Sequence, residues 1–113
     1  KVEIIIRPEK LELLKRIPEE FNIGGMTVLS VMGCGNQKGT ASDSEFKGLK
    51  IPGMNLIPKI MVIIVMKDKD VNRFLRYIYE QISENRVGDG KVFVSEVENV
   101  MRIRTGERGG KAL

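Results

Sequence analysis

Apolar residues follow two patterns along the chain. Runs of consecutive apolar residues predict buried strands at 2–6, 26–32, 59–66 and 91–97. Apolar residues three and four positions apart predict two amphipathic helices, of which Pro18 ends the first near Ile17 and Asp68 caps the second. Their apolar stripes are Leu11, Leu14, Ile17 and Phe21 in the first, and Val71, Phe74, Leu75, Ile78 and Ile82 in the second.

The order of these elements is strand-helix-strand followed by strand-helix-strand, which is the order of a split βαβ unit. It predicts an α+β, ferredoxin-like fold with two helices on one face of a four-stranded antiparallel sheet. The whole chain, 1–113, then forms a single domain. The other face of the sheet is bare and hydrophobic, because the strands are apolar on successive residues. We expect an oligomer, most simply a closed ring, to bury that face.

The segment between residues 33 and 58 shows no clear periodicity. Gly, Ser, Asp, Asn, Lys and Pro dominate it, and its apolar residues are isolated. A stretch this long without secondary structure is uncommon inside a compact domain and is usually functional or disordered. We interpret it as a mobile, exposed arm.

Three segments combine glycine with cationic side chains, at 33–39, 87–94 and 101–107. Taken singly, each has an ordinary interpretation: the root of the arm, a tight turn before a strand, and a strand edge guarded by charge. Taken together, they bring glycine-rich backbone and cations into one small domain. This combination predicts a binding site for a polyphosphate anion.

Two of these segments suggest how a phosphate would be held. In the turn at 88–91, glycines let the backbone approach the anion and Lys91 supplies positive charge. Arg102 and Arg104 alternate along what we predict to be an extended stretch, so both guanidinium groups point to one side.

Composition narrows the classes of function. The net charge is +4, but six aromatic residues and no tryptophan give no stacking platform for nucleic acid. The absence of histidine and the presence of a single cysteine exclude a Ser-His-Asp triad and metal sites built from His or Cys. Binding is therefore favoured over catalysis. Apolar runs far shorter than about 20 residues, the lone cysteine and the lack of a leader predict a cytoplasmic protein that does not insert into membranes.

At these motifs the sequence resembles the PII family of nitrogen-regulatory signal-transduction proteins, and the resemblance covers nearly the whole chain. The segments that carry it are Ile4-Ile5-Ile6-Arg7-Pro8, Gly25-Met26-Thr27-Val28, Gly33-Cys34-Gly35-Asn36-Gln37-Lys38-Gly39, Pro58-Lys59, Val87-Gly88-Asp89-Gly90-Lys91-Val92-Phe93-Val94 and Arg102-Ile103-Arg104-Thr105-Gly106-Glu107.

The resemblance implies a non-enzymatic homotrimer with nucleotide sites in the clefts between subunits. Those sites bind ATP or ADP, and 2-oxoglutarate joins by chelating the Mg²⁺ of bound ATP. The arm, called the T-loop and placed at about 36–58, then engages or releases a target protein, such as an ammonium channel, a metabolic enzyme or a regulator. A C-terminal loop occupies about 102–113. No tyrosine lies between 39 and 58, which excludes uridylylation of a T-loop tyrosine.

The resemblance also implies roles for individual residues. Gln37 ligates Mg²⁺, and Ile5 and Thr27 lie near the adenine. The nucleotide-binding residues are Ile5, Thr27, Gly35, Gln37, Gly88, Asp89, Gly90, Lys91, Arg102 and Arg104. The 2-oxoglutarate residues are Gln37, Lys38, Gly39 and Lys59.

Two other functions remain open at this point. One is a PII-like variant that senses ADP or ATP together with a different small anion for a specialised partner. The other is a small nucleotide-hydrolysing enzyme, which the missing histidine and the lack of an obvious catalytic base disfavour.

Overall fold

An antiparallel sheet of four strands organises the part of the chain that the structure, a computed structural model, describes: residues 1–34 and 56–113. The strand order is β2-β3-β1-β4, which confirms the ferredoxin-like fold, with β3 and β1 at the centre. The strands are β1 at Val2–Ile6, β2 at Thr27–Gly33, β3 at Ile57–Ile64 and β4 at Lys91–Val94. The last strand is therefore shorter than its apolar run predicts.

The first helical region is broken into short pieces. A 3-10 turn at Pro8–Lys10 leads into helix α1, Leu11–Leu14, and a second 3-10 turn follows at Glu19–Phe21. The prediction that this helix continues to residue 17 is wrong, because Pro18 disfavours helical backbone in the residue before it. Pro18 itself is extended, with a ψ of 142°.

Helix α2 spans Asp68–Ile82, where the apolar stripe predicts it. Asp68 is its first helical residue, and the capping position is taken by Lys67, whose extended backbone carries no side-chain capping hydrogen bond. The prediction that Asp68 caps α2 is therefore wrong. Negative charge in the first turn, from Asp68 and Asp70, still lies where the helix dipole favours it.

The hydrophobic core lies between the helices and one face of the sheet. Phe21 meets Phe74 edge-on, with ring centroids 5.4 Å apart, at the centre of the helical layer. The buried apolar residues are Val2, Ile4, Ile6, Leu14, Phe21, Val62, Ile64, Met66, Phe74, Ile78 and Ile82. These positions alternate along β1 and β3, so the residues between them belong to the opposite face.

None of the described strand residues on that opposite face is buried, so this part of the chain leaves the face open, as predicted. The register places Ile5 opposite both Met61 and Lys91, and Thr27 opposite Ile63. Residues directly opposite across strands share a face. Ile5, Thr27, Lys59 and Lys91, all predicted site residues, therefore lie on the open face. Within 1–34 and 56–113, neither helix has the length and apolar character needed to cross a bilayer.

Candidate functional site

The loop at 83–90 connects α2 to β4 and is closed by its own aspartate. We call it the phosphate loop after the anion-binding role that the sequence predicts for its turn at 88–91. Asp89 Oδ2 accepts hydrogen bonds from the backbone N–H of Glu84 at 2.7 Å and of Arg86 at 3.3 Å. The Asp89 N–H in turn donates to the Arg86 carbonyl at 3.3 Å. Asp89 therefore shapes the loop with its carboxylate.

Gly90 is where this loop presses against the sheet. Its φ is +117°, and a Cβ built on it would lie 1.9 Å from the carbonyl oxygen of Ile5. Gly88 also has a positive φ, of 98°. Only glycine fits the backbone conformation and the close approach at residue 90. Lys91 follows at once as the first residue of β4, paired with Ile5.

Lys59 joins this group from β3. Its Nζ donates to the Gly88 carbonyl at 3.2 Å, across a part-buried contact. The structure thus brings together Ile5, Lys59, Gly88 and Lys91, which the sequence places in three separate segments. The side chain of Lys91 is exposed and makes no hydrogen bond or ion pair with any described residue.

Charged side chains lie behind the phosphate loop. Arg7 Nη2 donates to Glu84 Oε2 at 2.9 Å and to Asp89 Oδ1 at 3.4 Å, and Arg7 Nη1 lies 3.2 Å from Glu9. Lys10 Nζ donates to the other oxygen of Glu84. The hydrogen bond from Lys10, followed by that from Arg7, lowers the pKa of the Glu84 carboxyl from its ordinary value of 4.5.

The C-terminal segment, residues 101–113, carries the predicted arginines. Arg102 donates through Nη1 to Glu107 Oε2 at 2.8 Å and through Nη2 to the Leu113 carbonyl at 3.2 Å. The Gly106 N–H closes a turn onto the Arg102 carbonyl at 2.8 Å. The prediction that Arg102 and Arg104 alternate along an extended stretch is therefore wrong. Arg104 lies in the turn, exposed, and has no partner among residues 1–34 and 56–113.

The described site residues fall into two groups within one chain. The first surrounds the phosphate loop, next to edge strand β4. The second group contains Arg102 and Thr27, the first residue of edge strand β2. Leu113, which accepts a hydrogen bond from Arg102, lies next to the chain just before β2: a Cβ built on Gly24 would be 3.3 Å from the Leu113 carbonyl carbon. Since β3 and β1 lie between β2 and β4, the two edge strands are three strand spacings apart, about 14 Å, so Thr27 and Lys91 are at least that far from each other.

Other predicted site residues, Gly35, Gln37, Lys38 and Gly39, lie outside the described residues, as does most of the T-loop at 36–58. A cavity of about 340 Å³ between the start of α2 and the C-terminal segment is lined partly by Lys67, Asp70 and Gly110. No predicted site residue lines it.

Comparisons with known proteins decide the family. The family model described as "Nitrogen regulatory protein P-II" matches residues 1–107. The chain belongs to the P-II family. It is 41% identical over 113 residues to "Nitrogen regulatory protein P-II" of Azospirillum brasilense, covering 100% of this chain and 98% of that protein. It is 42% identical over 109 residues to "Nitrogen regulatory protein P-II 2" of Methanothermobacter thermautotrophicus, covering 96% of this chain and 92% of that protein.

Solved structures agree with this P-II assignment. "Structure of B. subtilis GlnK" superposes with a TM-score of 0.78 at 34% identity, covering 99% of this chain and 96% of that one. The GlnK-ATP complex of B. subtilis superposes with a TM-score of 0.75 at 34% identity, covering 99% and 95%. The two sequence relatives are named as nitrogen regulatory proteins, and the second structure is a complex with ATP.

Sequence reasoning did not single out Arg7, Lys10 or Glu84. One signal was present for Lys10, which precedes Leu14 and Ile17 by four and seven residues and so belongs to the apolar stripe. A lysine on a core-facing stripe requires an anion within reach of its ammonium group. Glu84, 74 residues away, supplies it, and no local pattern identifies that residue.

Proposed function

We propose that this P-II protein is a non-enzymatic, cytoplasmic regulator that binds ATP or ADP in clefts between the subunits of a homotrimer. The phosphate loop and Lys91 of one copy hold the phosphates together with Arg102 and Arg104 of a neighbouring copy. Ile5 and Thr27 lie near the adenine. Gly35, from the root of the T-loop, completes the phosphate site.

The observation that carries this proposal is the division of the site residues into two groups at opposite edges of the sheet. Each group alone is half of an anion site: one offers loop backbone and Lys91, the other two arginines. A second copy brings the missing half to each loop. Closing a ring also covers the open apolar face, on which Leu29 and Phe93 are 39% and 50% exposed. The ATP named in the GlnK complex supports adenine nucleotide as the ligand.

We propose that 2-oxoglutarate binds beside the nucleotide. Gln37 supplies an amide oxygen to Mg²⁺, with Lys38, Gly39 and Lys59 around the dicarboxylate. Lys59 already donates to the Gly88 carbonyl, so an incoming carboxylate must share or take that ammonium group. The second ligand therefore acts on the phosphate loop, and the two ligands together bias the T-loop toward one target-binding conformation. The target is an ammonium channel, a metabolic enzyme or a regulator.

Calorimetry on the wild type and on Lys91→Met tests the nucleotide site. We expect ATP to bind the wild type, and 2-oxoglutarate to bind only when Mg²⁺ and ATP are present. Lys91→Met should weaken ATP binding by about tenfold, since a charged hydrogen bond contributes about 1.5 kcal/mol. Arg76→Met is the control, because Arg76 is an exposed cation on α2 that has no partner within the described residues and does not line the cavity beside the C-terminal segment. Light scattering gives the number of chains in each particle.

The outcomes separate the three functions. Absence of nucleotide heat at micromolar protein, or a monomer in solution, rejects the proposal. Nucleotide binding that is indifferent to 2-oxoglutarate supports a PII-like variant for a different small anion. Steady ATP turnover in saturating Mg²⁺ supports a nucleotide-hydrolysing enzyme.

A further inference from the structure

A lysine that is only 8% exposed lies behind the phosphate loop, outside the set of residues that touch ligand in the proposed site. It is Lys10, at the end of the 3-10 turn before α1. Burying an ammonium group is costly unless an anion pairs with it. Its partner is Glu84, which lies at the beginning of the phosphate loop rather than in a helix or strand.

Glu84 connects this buried charge to the loop backbone. One carboxylate oxygen accepts from Lys10, and the other accepts from Arg7 at 2.9 Å and faces Arg86 at 2.6 Å. The backbone N–H of the same residue donates to Asp89 Oδ2. Glu84 therefore links Lys10 to the aspartate that closes the loop.

The loop has two further attachments downstream. Lys59 holds the Gly88 carbonyl, and Gly90 lies against the Ile5 carbonyl. These two fix the end of the loop that enters β4. The upstream end includes Asn85, in the left-handed conformation at a φ of 55°. It is held by Asp89 and Glu84, and locally by contacts of Asn85 with Ser83 and Tyr79.

We propose, on the basis of the function proposed above, that Lys10 and Glu84 are positioning residues for the phosphate loop. Their ion pair ties the upstream end of the loop to the turn before α1. The loop amides are thereby held in the phosphate-binding arrangement before nucleotide arrives. Binding then avoids the entropic cost of ordering the loop. Neither residue touches the ligand.

Glu84→Gln, Lys10→Met and the double variant test this proposal. We expect each to weaken ATP binding by about fivefold to tenfold, because ordering a freed segment takes about 1 to 1.5 kcal/mol from the free energy of binding. The double variant leaves no buried charge unpaired and is expected to bind no more weakly than either single variant. It also guards against misfolding of the single variants.

Two readouts separate positioning from general stability. AMP has only one phosphate to contact the loop, so its affinity is expected to fall less than that of ATP. Amide hydrogen exchange without nucleotide is expected to accelerate in peptides covering 83–90 and to stay unchanged in β1 and β3. The matched control is Glu12→Gln with Lys15→Met, which removes another Lys–Glu pair, 3.0 Å apart and exposed on α1. That control should leave both readouts at their wild-type values.

Three results would overturn the positioning role: ATP affinity unchanged in the double variant, equal losses for ATP and AMP, or loop exchange equal to that of the wild type. The wild-type titration stands apart from these. A wild type that does not bind ATP rejects the proposed function, and the positioning role is rejected with it. A wild type that binds ATP alongside an unaffected double variant rejects only the positioning role.

Discussion

The phosphate loop and the C-terminal segment offer cations to the same proposed site, yet they are held very differently. The loop is attached to three other elements, through Glu84 to Lys10, through Gly88 to Lys59 and through Gly90 to Ile5. Among residues 1–34 and 56–113, the side chain of Arg102 donates hydrogen bonds only within its own segment, to Glu107, Lys111 and Leu113. One half of the site is therefore built into the fold, and the other is a self-closed turn on its surface.

This difference indicates which half determines affinity through shape and which through charge. A loop attached at several points contributes preorganised N–H groups, so its variants should lose stability and affinity together. An exposed turn contributes guanidinium charge, so its variants should lose affinity while the fold stays intact. Paired substitutions in the two regions test this difference.

Gly90→Ala should have the largest effect. The new Cβ would meet the Ile5 carbonyl oxygen at 1.9 Å on a backbone with φ of +117°. We expect a loss of about 3 kcal/mol in the free energy of unfolding, measured by urea denaturation. Gly106→Ala is its counterpart in the C-terminal segment, where φ is +73° and nothing lies within 4 Å of the new Cβ. There we expect only the backbone strain, about 1 kcal/mol. Equal losses would show that the loop is no more tightly fitted than the turn.

Asp89→Ala should come second. It removes the acceptor for two exposed backbone N–H groups and also a partner of the largely buried Arg7 guanidinium, at a cost of about 2 kcal/mol. Asp89→Asn keeps an acceptor oxygen and should lose about half as much. Thr105→Ala is the counterpart, because Thr105 Oγ1 accepts the Glu107 N–H at 3.3 Å on an exposed turn. Its loss should stay near about 0.5 kcal/mol. A Thr105→Ala variant as unstable as Asp89→Ala would contradict the comparison.

The same contrast explains which parts of the fold and of the site can be predicted from the sequence alone. Strand β1 and helix α2 are predictable because their apolar residues repeat with the period of the element, within a few residues of each other. The turn at 88–91 is predictable as an anion-binding feature because its glycines and Lys91 are adjacent. Helix α1 is predicted too long, since the effect of Pro18 on the residues before it outweighs the stripe.

Contacts between distant segments account for what could not be predicted. The pairing of Lys10 with Glu84 spans 74 residues, and that of Lys59 with Gly88 spans 29. The turn at Arg102 depends on Glu107 and on the backbone of Leu113, so a pattern of alternating arginines predicts an extended stretch instead. Site residues taken from one short motif were placed together, whereas the division into two groups emerges only from the strand order.

Acidification should reveal a smaller difference in stability between the phosphate loop and the C-terminal segment. Lys10 and then Arg7 lower the folded-state pKa of Glu84 below its ordinary value of 4.5. The resulting stabilisation is present above pH 4.5 and disappears as the pH falls through the lowered folded-state pKa. Urea midpoints measured from pH 7 to pH 3 should therefore fall more steeply for the wild type than for Glu84→Gln. Parallel curves would show that the folded state does not favour the Glu84 carboxylate.

Arg104→Ala should affect stability least and still weaken binding. Its side chain is exposed and has no partner within the described residues, so the free energy of unfolding should stay within about 0.5 kcal/mol of the wild type. In the proposed site the guanidinium contacts phosphate, and its loss should weaken ATP by about tenfold, equivalent to about 1.5 kcal/mol.

Arg76→Ala is the matched control for Arg104→Ala, because Arg76 is an exposed arginine on α2 and its removal changes the net charge equally. If net charge alone affected the anionic ligand, both variants would lose the same amount of ATP affinity. That loss would also become smaller in both variants as salt is added. A loss confined to Arg104→Ala means a direct contact. That loss should be larger for ATP than for AMP, as for the phosphate loop, but without faster amide exchange, since the turn closes through the backbone of Arg102 and Gly106.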